Sequence, residues 1–86
     1  MAARAIRLDP RDNVAVVTVD VKSGDLIDAD GIQVQATEPV SRGGKVALTA
    51  IPSGEPVLRY GEEIGLATAA IAPGQHVHTH NLGGRK

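Results

Sequence analysis

The 86-residue sequence contains no cysteine, tryptophan or phenylalanine and only one tyrosine. Without cysteine, disulfides, thiolate nucleophiles and Cys-type zinc sites are excluded, although this does not fix the compartment. Without large aromatics, the core must be built from Val, Ile, Leu and Ala, which bury less area per residue. A domain this short buries only about 60–65% of the surface its unfolded chain exposes. Self-association into a homo-oligomer, or docking to a larger partner, is expected to supplement that small margin. Neither sign of charge prevails, with nine Lys and Arg against ten Asp and Glu, a net charge of −1 and a pI near 6.2. No basic stripe or aromatic platform is present, so nucleic acid is not an expected partner. No apolar run approaches the roughly 18 residues of a membrane span. Residues 1–7 lead at once into Asp9-Pro10-Arg11-Asp12 rather than into the apolar core of a signal peptide. The expectation is one cytoplasmic domain without a membrane span, over residues 1–86, with its core at about 4–82 and frayed ends at 1–3 and 83–86.

What is present is a short pattern used four times: Val or Ile, two residues, Gly, two residues, Val or Ile. It occurs as Val21-Gly24-Ile27, Val40-Gly43-Val46, Ile51-Gly54-Val57 and Ile71-Gly74-Val77. Each glycine is placed to supply the positive φ of a tight turn, and the branched residues on either side would close neighbouring strands onto one core. Between the turns, residues 14–21, 32–36, 46–51 and 57–60 have strand composition, and residues 28–31 read as a turn. The nearly continuous apolar run 14–21 predicts a strand covered on both faces. Ile32-Gln33-Val34-Gln35 alternates as a half-exposed strand should. Residues 62–71 carry some helical spacing, but Gly65 and the adjoining turns favour an extended path. The fold class is therefore all-β.

All three histidines lie within five residues, at alternate positions: His76, His78 and His80. On a strand they would share one face. Imidazole binds metals and moves protons near neutral pH, so the row is a candidate acid–base or metal-ligating cluster. On a regular strand His76 and His80 would stand about 13 Å apart, at roughly 3.3 Å per residue. A single ion could then be shared only by an adjacent pair, His76 with His78 or His78 with His80. Tyr60 either plugs the core or offers its hydroxyl to a reaction. Asp12 and Asn13 either bind a polyhydroxylated ligand or bond the backbone of a turn. Lys45 either meets a substrate carboxylate or is solvated, and Asn81 either holds a histidine or substrate hydroxyl or caps the last turn.

The run from Ile64 through His76, His78 and His80 to Asn81, together with Asp12-Asn13-Val14-Ala15-Val16 and Gly54-Glu55-Pro56-Val57-Leu58-Arg59-Tyr60-Gly61, resembles the amino-terminal SAF domain of the altronate and galactarate dehydratase family. The likeness covers residues 6–82. Gly44 departs from it, standing where the family often has His in Gly-His-Lys, and Arg59 stands where Lys is usual. The resemblance implies a β-clip fold of short strands and long hairpin turns. It implies the small subunit of a hydro-lyase that dehydrates a sugar acid of the altronate or galactarate type, paired with a large catalytic subunit. It also implies a divalent metal, Fe(II) with Mn(II) as the alternative, whose remaining ligands the large subunit would supply. Two rival readings are the small subunit of a sulfolactate sulfo-lyase and a non-catalytic SAF binding module.

Overall fold

The structure, a computed structural model, describes residues 2–83, and no helix occurs among them. Nine strands follow in order: β1 (Ala3–Ile6), β2 (Val14–Val17), β3 (Leu26–Ala29), β4 (Ile32–Gln35), β5 (Lys45–Ala47), β6 (Pro56–Arg59), β7 (Glu62–Ala67), β8 (His76–Val77) and β9 (Leu82–Gly83). Six form one sheet in the order β4-β3-β1-β2-β5-β8, and three form a second, β6-β7-β9. All pairings are antiparallel except that of β1 with β3. The all-β expectation holds, and so does the extended path at 62–67.

The four-fold sequence pattern becomes two successive copies of one unit. Gly24, Gly43, Gly54 and Gly74 all turn at φ between 86° and 93°. The branched residue that opens each pattern pairs with its counterpart, Val21 with Val40 in the first unit and Ile51 with Ile71 in the second, through isolated bridges. Each pair closes the base of a hairpin, β3–β4 or β6–β7, whose two-residue tip is left-handed at both positions. These tips are Asp30-Gly31, at φ 54° and 89°, and Tyr60-Gly61, at φ 59° and 72°. Such tips match the natural twist of the strands they join.

Strands are shorter than composition alone suggests. β2 stops at Val17 because Thr18 turns onto β1, its N–H and hydroxyl both donating to the Arg4 carbonyl at 3.0 and 2.9 Å. β5 stops at Ala47, after which the Leu48 N–H donates to Asn13. Asp28 and Ala29 complete β3, leaving only Asp30 and Gly31 in the turn. Ala3 and Gly83, expected to fray, are held in β1 and β9, while the expectations for Met1 and residues 84–86 lie outside the described residues.

Two apolar clusters hold the units. One gathers Val17, Val21, Ile27, Val34, Val40 and Val46; the other gathers Val14, Ile51, Val57, Ile71 and Val77. β2 and β5 contribute to both, since successive residues of a strand face opposite sides. This explains why β2 reads as apolar throughout. β4 keeps its expected alternation, with Val34 buried between exposed Gln33 and Gln35.

Candidate functional site

β8 ends after Val77 because Asn81 takes over the backbone around it. The His78 N–H donates to Asn81 Oδ1 at 2.9 Å, Asn81 Nδ2 donates to the His76 carbonyl at 2.8 Å, and the Asn81 N–H closes a turn onto the His78 carbonyl at 3.0 Å. The Asn81 carbonyl accepts from the Thr68 N–H. Asn81 is only 2% exposed, so both ends of its amide serve the chain itself. The histidines therefore do not run along one strand.

The turn replaces the 13 Å separation of a straight strand with a cluster. The His80 ring centroid lies 5.8 Å from that of His76 with the planes at 52°, and His78 stacks on His76 at 5.4 Å and 7°. His76 is the common neighbour. Its backbone N–H donates to Glu38 Oε2 at 3.2 Å. Burial lowers the His76 imidazole pKa below its ordinary value. The Glu38 carboxylate opposes that shift, while His78, His80 and Lys45 reinforce it. His76 is thereby biased toward the neutral form that can accept a proton.

Lys45 sits on β5 beside β8, opposite Val77 in the register. Burial, then the charge of Arg59, lowers its pKa. The Arg59 guanidinium carbon lies 4.8 Å from the centre of the Tyr60 ring, and Tyr60 is exposed at the hairpin tip rather than plugging the core. Asp12, 5% exposed, accepts the N–H groups of Tyr60 and Gly61 at 3.0 and 2.7 Å. Asn13 accepts the Leu58 N–H at 2.8 Å and donates to the Pro56 carbonyl at 3.0 Å. As placed, Asp12 and Asn13 hold the β6–β7 hairpin against the six-stranded sheet. A Cβ added at Gly44 would stand 2.7 Å from Val40 Cγ1 and 3.4 Å from His76 Nε2, so this glycine leaves the flank of His76 open.

Ring planes decide which imidazoles could share a cation, because each nitrogen lone pair lies in its own plane. The nearly parallel, stacked planes of His76 and His78 do not converge on a common ion, whereas the 52° tilt between His76 and His80 is compatible with one. Among the described residues no group of three or more His, Asp or Glu side chains is arranged to hold a metal ion. A complete centre here would therefore draw ligands from elsewhere.

The sequence matches the altronate/galactarate dehydratase SAF domain over residues 3–85. The chain belongs to this family. An altronate dehydratase from Escherichia coli (strain K12) is 45% identical over 76 residues, which are 88% of this chain and 15% of that protein. The galactarate dehydratase (L-threo-forming) of the same strain is 38% identical over 74 residues, 84% of this chain and 14% of that protein. The (2R)-sulfolactate sulfo-lyase subunit alpha of Chromohalobacter salexigens is 32% identical over 81 residues, 86% of each chain. This SAF domain thus spans about one-seventh of the dehydratases it matches but most of the sulfo-lyase subunit. Among its described residues no helix is long and apolar enough to cross a membrane.

The structure brings His76, His78, His80, Lys45 and Asn81 to one end of the β5–β8 pair, with Tyr60 linked to them through Arg59. Sequence reasoning missed Glu38 and Arg59 as members. Glu38 arrives by a contact 38 residues long in sequence, for which no local signal exists. Arg59 carried a signal only as a departure from the family's usual Lys. A separate groove lined by Arg4, Ala5, Ile6, Arg7 and Asp30 contains none of the expected site residues.

Proposed function

We propose that this SAF domain is the small component of a lyase that removes water from a sugar acid, lending its histidine cluster to an active site completed by a larger catalytic polypeptide. The observation that carries the reading is the three-imidazole cluster beside Lys45, on a domain of the dehydratase family. Dehydration takes a proton from the carbon beside a carboxylate and expels hydroxide from the next carbon. The resulting enol then becomes a 2-oxo acid. The first step needs a base, the second an acid, and both benefit from positive charge at the carboxylate. His76, held toward its neutral form, is suited to receive the proton. His78 and His80, exposed on either side of it, are suited to give one to the departing hydroxyl so that it leaves as water. Lys45 supplies the cation for the carboxylate, and Tyr60 presents its hydroxyl outward to whatever covers the hairpin tip. A divalent ion such as Fe(II), reached from the His76–His80 side and ligated further by the partner, would add Lewis acidity at the carboxylate and its hydroxyl.

A second reading has its own support in the 86% span shared with the sulfolactate sulfo-lyase subunit. There sulfite would leave in place of water, and no proton would be needed by the leaving group. Purification of the tagged chain from its own cells, with assay of the recovered assembly on altronate, galactarate and (2R)-sulfolactate, separates the readings. Turnover of a sugar acid, with His76→Gln lowering kcat at least about 100-fold while the assembly stays intact, supports the dehydratase. Sulfite release from sulfolactate alone transfers the role to the second reading. An intact assembly whose rate is unchanged by His76→Gln overturns the catalytic part of both.

A further inference from the structure

We propose that Arg59, acting with Lys45, is a specificity residue that binds an oxyanion group of the substrate, carboxylate or sulfonate, alongside the histidines. The inference deepens the reading above and rests on it for the substrate class.

Arg59 ends β6 directly opposite Glu62 of β7, where a surface ion pair was within reach. No such pair forms. Ion pairs such as Arg7–Asp30 and Arg11–Asp9 form elsewhere, and among the described residues none is seen at Arg59 or Lys45. Instead the guanidinium lies over the Tyr60 ring, and its Nε is buried without a hydrogen-bond partner. A buried donor on a charged group is costly to leave unsatisfied, so a partner supplied from outside the chain would be strongly favoured. The charge of Arg59 bears on another cation, Lys45, whose ammonium it disfavours. Two half-buried cations that bear on each other without an acidic partner are what an incoming anion would relieve.

The support for Arg59 is itself fixed. Asp12 pins the backbone of Tyr60 and Gly61, and Asn13 pins that of Leu58, so the residues on both sides of Arg59 are tied to the six-stranded sheet. A guanidinium held this way presents a planar fork of donors that matches the two oxygens of a carboxylate, or two of the three of a sulfonate. A lysine at the same place would offer only a point charge. Arg59 therefore narrows what Lys45 alone would accept to planar or forked oxyanions in one orientation.

The test is anion titration of the full chain, followed by NMR at the Arg59 Nε–H, with glycolate and methanesulfonate as probes. The expected result is a saturable shift of the Arg59 Nε–H and of the Lys45 side chain with one common Kd. Arg59→Gln should weaken that binding at least tenfold and Arg59→Lys by a smaller factor. Tighter glycolate binding assigns the subsite to a carboxylate, tighter methanesulfonate binding to a sulfonate. Where Arg59→Gln fails to fold, Arg59→Lys, which keeps the charge, carries the comparison. Absence of a shift at Arg59, or an unchanged Kd in the variants, overturns the proposal. Because no turnover is required, failure here leaves the lyase reading standing, and failure of turnover leaves the anion subsite standing.

Discussion

The two units, residues 14–43 and 45–74, share bridge residues, turn glycines and a left-handed hairpin tip, yet they finish differently. In the first, β3 and β4 pair in unbroken register and join β1 in the large sheet. Its tip residue Asp30 meets Arg7 at 3.7 Å, and the charges cancel at the surface. In the second, the register shifts between Val57 and Leu58, because Ile64 is an extra residue in β7. That hairpin leaves the large sheet and pairs with β9, and its tip is held by buried Asp12. A bulge bends and twists the strand that carries it. Here the bulge adjoins Leu58 and Arg59, the residues that lead to the candidate site. One local motif thus serves once as scaffold and once to aim side chains.

The largest contrast lies in the turn glycines. Gly24 has nothing within 4 Å of where a Cβ would stand, whereas a Cβ at Gly74 would run into the Gln35 carbonyl. Alanine at Gly24 should cost only the left-handed backbone penalty, about 1–2 kcal/mol. At Gly74 the chain of the first unit would have to move as well, and the loss should reach about 3 kcal/mol or more. Urea unfolding of Gly24→Ala and Gly74→Ala measures both; equal midpoints would mean that the units do not pack as closely as the Gly74–Gln35 approach indicates.

The hairpin tips differ next. Asp12→Asn removes one of the two acceptors that hold Tyr60 and Gly61 and turns amide hydrogens toward a backbone donor, which should cost about 2–3 kcal/mol. Asp30→Asn keeps a residue that tolerates the left-handed region and breaks only an exposed ion pair, so its cost should stay below about 0.5 kcal/mol. Thermal or urea unfolding of the two variants gives the ratio. A large loss at Asp30 with a small one at Asp12 would reverse the roles assigned to the tips.

These contrasts show what sequence could and could not carry. The repeated Val/Ile-x-x-Gly pattern marked the turns and bridge residues, because glycine and branched residues act locally there. Gly74 could be read as a turn, but its contact with Gln35 could not, since nothing near Gly74 in the chain reports what lies across the fold. The alternate histidines were legible as a cluster, but their geometry was misjudged. Strand spacing gave 13 Å for a pair that Asn81 draws to 5.8 Å, and Asn81 looks no different from any other turn residue until its long-range partners are known. Glu38 and Arg59 joined the site through contacts made only after folding.

The smallest effect concerns equivalent positions in the two units, Lys45 after Gly43-Gly44 and His76 after Gly74-Gln75. Burial lowers the pKa of both, and of the two side chains only an imidazole has an ordinary pKa near neutrality. Below the unfolded value of about 6.5 the unfolded chain takes up a proton that folded His76 resists. Stability should therefore fall as the pH drops from about 6.5 toward the folded pKa of His76 and level off below it. Glu38, His78, His80 and Lys45 all bear on this group, and only Glu38 favours its charged form. Glu38→Gln should accordingly move His76 lower still and widen the window, whereas His76→Gln should remove its share of the slope. Site-resolved NMR titration of the imidazoles, together with urea unfolding between pH 7.5 and 4.5, follows both. A His76 that titrates above the ordinary imidazole value, and drops below it only in Glu38→Gln, would mean that the carboxylate and not burial governs the cluster, and His76 would then be an acid rather than a base.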